Sequence, residues 1–318
     1  MIKKFLKSEF GRGALVLFIA MNVFNVLNFV FHFSMGRMLG PEGYGILAVL
    51  MSIVYIYGVP FEAIQNLISN YTSKMNNEKD KIRFLIFKSL KKGLKVAFMF
   101  FLLATAISIF ISKFLEIDFW LLFLTNILIF SSFSVPIVRG VLQGRKKFNL
   151  LGWSMIIESG FKLFFAISLV IFGFYLFGAV VGVLAGVFTG LVFSLYFNKD
   201  ILSEKSKNVS FNGIYAKSAK YFVVMLVILL VFSLDVILAK RFFSPELAGK
   251  YAVLSMLGKM IFFGTLAISK AMFPLTSEKS NNAKASTKIF KKSLLTVGLL
   301  CLFAVIIFAL IPNLIVRV

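Results

Sequence analysis

Residues 37–50 read RMLGPEGYGILAVL, and residues 241–254 read RFFSPELAGKYAVL. The second segment follows the first at a constant spacing of 204 positions, without a gap, and seven of the fourteen positions are identical. These are Arg37/Arg241, Pro41/Pro245, Glu42/Glu246, Gly45/Gly249, Ala48/Ala252, Val49/Val253 and Leu50/Leu254. The segment is suited to starting a helix. Proline cannot continue a helix but fits its first turn. Glu42 then stands near the positive end of that helix. Gly43 and Gly45 are expected to permit the tight reversal, and Arg37 to anchor the end of the helix before it. Long apolar runs flank both copies, so a pair of helices is used twice.

Composition says what surrounds those helices. Of 318 residues, 59% are apolar, 15% are charged and 40 are Phe; the mean hydropathy is +0.93. A soluble domain is about 45–50% apolar and about 25% charged. A soluble enzyme, a disordered chain and a disulfide scaffold are excluded on this ground. Cys301 is the single cysteine and His32 the single histidine, so neither a disulfide within the chain nor a Cys or His-pair metal site can form.

A membrane-spanning helix needs about 20 mostly apolar residues. Nine stretches meet this: 14–35, 46–68, 93–112, 119–141, 151–172, 176–197, 219–239, 250–273 and 293–312. Barrel strands would be half as long and alternate in polarity. The expected fold is therefore an all-α polytopic membrane protein. Most of the 35 Lys and Arg fall in the head and in every second connection, Lys79, Lys81, Arg83, Lys88, Lys91, Lys92 and Lys95 among them. The opposite connections hold only Arg37, Lys113, Lys240, Arg241, Lys250 and Arg317. Positive charge favours the cytoplasmic side, which places the N-terminus inside a plasma membrane and leaves no need for nucleic acid to explain a net charge of +22.

Six stretches separate the two copies of the motif, an even number, so the halves are parallel repeats about an axis normal to the membrane. Residues 1–205 form a six-helix lobe, and 206–318 a partial lobe matching its first three helices. Partners for the fourth to sixth helices are not present, and the chain is expected to be truncated or a fragment.

GRMLGPEGYGILAVL, residues 36–50, resembles the signature of the polysaccharide-biosynthesis, or oligosaccharide flippase, family of the MOP superfamily, which also holds the MATE exporters. The resemblance implies two MATE-like six-helix lobes facing a central cavity. It implies a flippase for polyprenyl-pyrophosphate-linked oligosaccharide in cell-surface polysaccharide assembly, working by alternating access without ATP beside polysaccharide-assembly enzymes. The alternatives are a MATE-like cation-coupled exporter of small molecules and a transport-incompetent fragment.

Polar residues within the spans are the candidate site, since they are costly in lipid. Asn22, Asn25, Asn28 and His32 fall within about a 120° arc of the first helix. Glu62, Gln65, Asn66, Ser69 and Asn70 share one face of the second, after Pro60, an expected kink. Glu158 and Lys162 stack four apart on the fifth, either as a neutralised pair or with Lys162 free to meet an anion. Asp235 lies on the seventh. On the eighth, Ser255, Lys259, Ser269 and Lys270 share a face, and Lys259 needs a substrate anion or an acid from another helix. Arg139 is read as a boundary charge after Pro136. The substrate-binding candidates are Asn25, Asn28, Arg37, Lys162 and Lys259; the ion-coupling candidates are Glu62, Glu158 and Asp235. Gly178, Gly182, Gly186 and Gly190 form a small-residue ridge for close packing. No catalytic, phosphate-loop or dinucleotide motif is present, so neither catalysis nor a cofactor is expected, and the drive is an H+ or Na+ gradient or consumption of the product.

Overall fold

The structure is a computed structural model that describes residues 9–75, 78–204, 219–277 and 283–310. Every regular element among them is helical. In chain order these are α1 (Glu9–Tyr57), α2 (Val59–Lys74), α3 (Lys79–Leu115), α4 (Phe119–Asn126), α5 (Leu128–Gly144), α6 (Phe148–Leu169), α7 (Tyr175–Phe197), α8 (Lys199–Leu202), α9 (Ala219–Phe242), α10 (Pro245–Ser277) and α11 (Ala283–Leu310).

α1 is a hairpin. Its backbone leaves the helix at Gly40, at φ 70° and ψ 176°, a region essentially reserved for glycine. His32 Nδ1 and Tyr44 Oη then lie 3.2 Å apart, whereas twelve residues of straight helix would separate them by about 18 Å. Pro41 opens the second arm, as expected. The reversal itself falls at Gly40 and not at Gly43 or Gly45, whose φ values are not left-handed. Gly45 has a different use: a Cβ there would come within 3.1 Å of the Gly249 Cα. The two repeat-related glycines face each other where α1 crosses α10.

The second apolar stretch breaks at Gly58, and Pro60 takes the first turn of α2. The fourth is divided at Ile127 into α4 and α5, and Asp118 caps α4 by accepting from the Trp120 and Leu121 amides at 2.6 and 3.3 Å. α6 and α7 form a second hairpin through the turn at Gly173, φ 88°. The glycine ridge is the seam between them. Gly178 lies against Leu169, Gly182 against Ala166, Gly186 against Lys162 and Gly190 against Glu158. The order is antiparallel, and the backbones come closer than any side chain would allow. Between helices in lipid such packing carries association that burial from water cannot supply.

Among the described residues four helical stretches are long and apolar enough to cross a membrane: Leu15–Lys74, Lys79–Leu115, Phe119–Gly144 and Phe148–Phe197. The first and last contain the two hairpins. Nine crossings remain the sequence's expectation. One buried cluster joins Phe31, Tyr44, Leu47, Leu122, Ala166 and Val180 to Val236 of α9 and Ala252 of α10. A second, at the far end of α2, gathers Ile68, Leu85, Ile86, Ile137, Val141 and Ile201. Phe98, Phe110, Phe172 and Phe188 stand more than half exposed, the pattern of a lipid-facing wall. This is a multi-pass membrane protein.

Candidate functional site

The fifth apolar stretch, now α6, carries Glu158 and Lys162 one turn apart, yet they do not pair. Glu158 Oε2 instead accepts from Arg139 Nη2 of α5 at 2.7 Å. Arg139 is not a boundary charge: it is 3% exposed. Its Nε donates to Ser154 Oγ at 3.1 Å and its Nη2 to the Ser154 carbonyl at 2.9 Å. A guanidinium presents several donors in a fixed fork, and here the fork spans one turn of α6. Gly190 of α7 leaves the room the ion pair needs, since a Cβ there would sit 2.8 Å from Glu158 Oε2.

Lys162 thus makes no ion pair with its helical neighbour. It is buried where α1, α6 and α7 meet, with its Nζ donating to Asn28 Oδ1 and 4.3 Å above the Phe31 ring centroid. Among the described residues no carboxylate oxygen lies within 4.0 Å of it. An amide oxygen and a π face lower the cost of a buried ammonium, but neither supplies a negative charge.

The rest of the polar stripe on α1 is distributed. Asn22 and Asn28 donate to the Phe18 and Phe24 carbonyls of their own helix, each at 2.8 Å. Asn25 is half-buried. His32 meets Tyr44, whose hydroxyl donates to Met256 Sδ of α10 at 3.0 Å, so the stripe ends in a link between the hairpin and the second repeat. Arg37 stands about 180° around the helix from Asn28. It is exposed and stacks on Phe33, 4.6 Å from the ring centroid. The structure does not gather it with Lys162.

Asp235 and Lys259 do come together. Lys259 Nζ lies 3.2 Å from Asp235 Oδ1, and Ser255 Oγ donates to Oδ2 at 2.5 Å. The acid that Lys259 required is on α9. The Phe232 ring lies 5.0 Å from Nζ. The side chains of Ser269 and Lys270 lie outside the described residues. Glu62 is half-buried in the first turn of α2. On the same face Gln65 Nε2 donates to Gln143 Oε1 of α5 at 2.8 Å, and Gly140 allows the α5 backbone against the Gln65 carbonyl.

Two polar groups escaped the sequence reading. Asn126 accepts from the Tyr57 hydroxyl at 2.6 Å and donates to Ser108 at 3.0 Å, tying α1, α3 and α4 inside the membrane. At the opposite end Asp200 of α8 receives both arms of Arg145, at 2.9 and 2.6 Å. Lys147 and Lys79 stand 3.7 and 3.8 Å from it. The Arg145 hydrogen bonds hold its carboxyl below the usual range, against a smaller opposing effect of burial. Asp200 and Glu204 are the two acids in a basic connection, and an acid set among so many lysines was the available signal.

The fold has solved relatives. A MATE transporter in complex with MaD5 superposes with a TM-score of 0.71 over 98% of this chain and 76% of that chain, at 14% identity. A MOP superfamily transporter from Pyrococcus furiosus gives 0.68 over 99% and 75%, at 13% identity. The eukaryotic MATE transporter AtDTX14 gives 0.68 over 95% and 73%, at 14% identity. At such identities the likeness shows the fold alone. No curated protein sequence gives a significant match. The model of the polysaccharide biosynthesis protein family matches residues 10–280, most of the chain, and with the helical membrane architecture above it the conclusion is that the chain belongs to that family.

Proposed function

We propose that the protein moves a polyprenyl-pyrophosphate-linked oligosaccharide across the plasma membrane, with its N-terminus in the cytoplasm. The observation that carries this reading is Lys162: a cation buried among membrane helices whose expected acid, Glu158, is held by Arg139. A pyrophosphate is the complementary charge, and a polar anionic headgroup cannot cross hydrocarbon unaided. Asn25 on α1 offers an amide to sugar hydroxyls, and Asn28, which accepts from Lys162, holds the ammonium in place. Transport proceeds by two lobes, residues 1–205 and the part of a second within 206–318, rocking about the Gly45–Gly249 crossing. Asp235 and Lys259 form the coupling pair. An H+ or Na+ taken by the carboxylate releases the ammonium towards the substrate. Glu62 is the remaining acidic candidate for that ion.

A small-cation exporter is the weaker reading, because Glu158 and Asp235 are each engaged by a basic side chain. The P. furiosus transporter has a binding pocket of reversed polarity that suggests a different function; an anion-binding member of this fold is in keeping with it. Reconstitution with a fluorescent lipid-linked sugar tests the proposal. Translocation above protein-free liposomes that falls at least tenfold in Lys162→Gln is expected. Translocation indifferent to Lys162 removes the anion site, and binding without translocation favours the incompetent-fragment reading.

A further inference from the structure

α3 is longer than a membrane is thick. Its 37 residues extend about 55 Å, against about 30 Å of hydrocarbon. Between Asp80 and Glu116 the chain has no acidic residue, and all the basic ones but Lys113 fall in the first half of the helix. That half changes character along its length. At its start the helix faces protein: Ile82, Leu85 and Ile86 are buried, and Lys79 reaches Asp200 and Glu204 at 3.8 and 3.9 Å. Beyond Leu85 an outward stripe develops. Phe87, Lys91, Leu94, Lys95 and Phe98 recur at helical spacing and all are exposed, with Lys88 and Lys92 beside them.

We propose that this stripe is a docking site for an anionic glycerophospholipid in the leaflet where α3 begins. The argument is charge and chemical complementarity. Phe87, Leu94 and Phe98 are 49%, 44% and 52% exposed and favour acyl chain. Lysine stems can lie along such a surface while their ammonium groups rise to phosphate depth. Four lysines within two turns at the start of an apolar span of α3 are the arrangement that attracts anionic lipid. This site is separate from Lys162 and stands or falls independently of the transport reading.

The experiment is native mass spectrometry of the purified full chain exchanged into mixed phosphatidylglycerol and phosphatidylcholine. The intact protein is expected to retain phosphatidylglycerol preferentially. The variant K88Q/K91Q/K92Q/K95Q is expected to lose about tenfold of that preference. Neutralising four basic residues of the head instead, Lys3, Lys4, Lys7 and Arg12, is expected to leave it. Equal losses in the two variants would mean net charge alone and overturn the site. So would displacement of the lipid by millimolar inorganic phosphate, which would mark a free-phosphate site. If the α3 variant does not fold, the intact protein decides: no preference for phosphatidylglycerol at low salt overturns the proposal.

Discussion

Two buried cations on neighbouring helices have opposite roles. Arg139 is fully engaged, and its removal strands Glu158 in a low-dielectric interior. Breaking such a pair costs on the order of 3–5 kcal/mol. Arg139→Ala is therefore expected to lower the unfolding midpoint in SDS titration sharply, whereas Lys162→Ala, which leaves no carboxylate behind, changes it by less than about 1 kcal/mol. Comparable losses would mean that Lys162 is structural. Asp200 gives a pH signature. Its folded pKa lies below the ordinary value of 3.8. Its contribution is thus complete above pH 3.8 and disappears as pH falls through the depressed value. Acid unfolding followed by Trp fluorescence should show an acid-side loss of stability that Asp200→Asn shifts, with no change between pH 6 and 8.

At the scale of elements, glycine sets the spacing of two seams. A side chain at Gly249 would enter the Pro41 backbone, and one at Gly186 would meet Lys162 and the Glu158 carbonyl. Overpacking of this kind costs about 1–3 kcal/mol, more where backbone must move. Gly249→Val is expected to loosen α10 from the α1 hairpin and speed proteolysis after residue 204. Gly160→Val, where nothing lies within 4 Å of an added Cβ, should behave like the parent. The α6–α7 seam was legible because it depends on local spacing, the glycines recurring every four residues; the Gly45–Gly249 contact had no such signal, because a repeat matches two positions without bringing them together. The Arg139–Glu158 pair was not legible either, since nineteen positions separate its members and only packing of α5 on α6 selects Arg139 over the nearer Lys162. Asp235 and Lys259 lie between these cases. The need for a negative charge could be read from the sequence, but not that an acid on α9 supplies it. The break at Gly40 was misplaced for a local reason, because three glycines within six residues compete for one turn.

Across the whole molecule, orientation and one buried cation without a carboxylate partner carry the transport reading. With Cys301 replaced, a cysteine at position 80 should react with an impermeant maleimide only from the cytoplasm and one at position 42 only from outside. The reverse pattern would invert the charge reading on which the topology depends. The most direct measurement of the central claim is equilibrium binding of a fluorescent polyprenyl-pyrophosphate sugar to the purified chain, compared with its uncharged polyprenol analogue. The account predicts that the parent prefers the pyrophosphate form, that Lys162→Ala loses that preference by at least about tenfold, roughly one charge-assisted hydrogen bond, and that Lys162→Arg keeps part of it. Equal affinity of the parent for charged and uncharged forms, or an unchanged preference in Lys162→Ala, would contradict it.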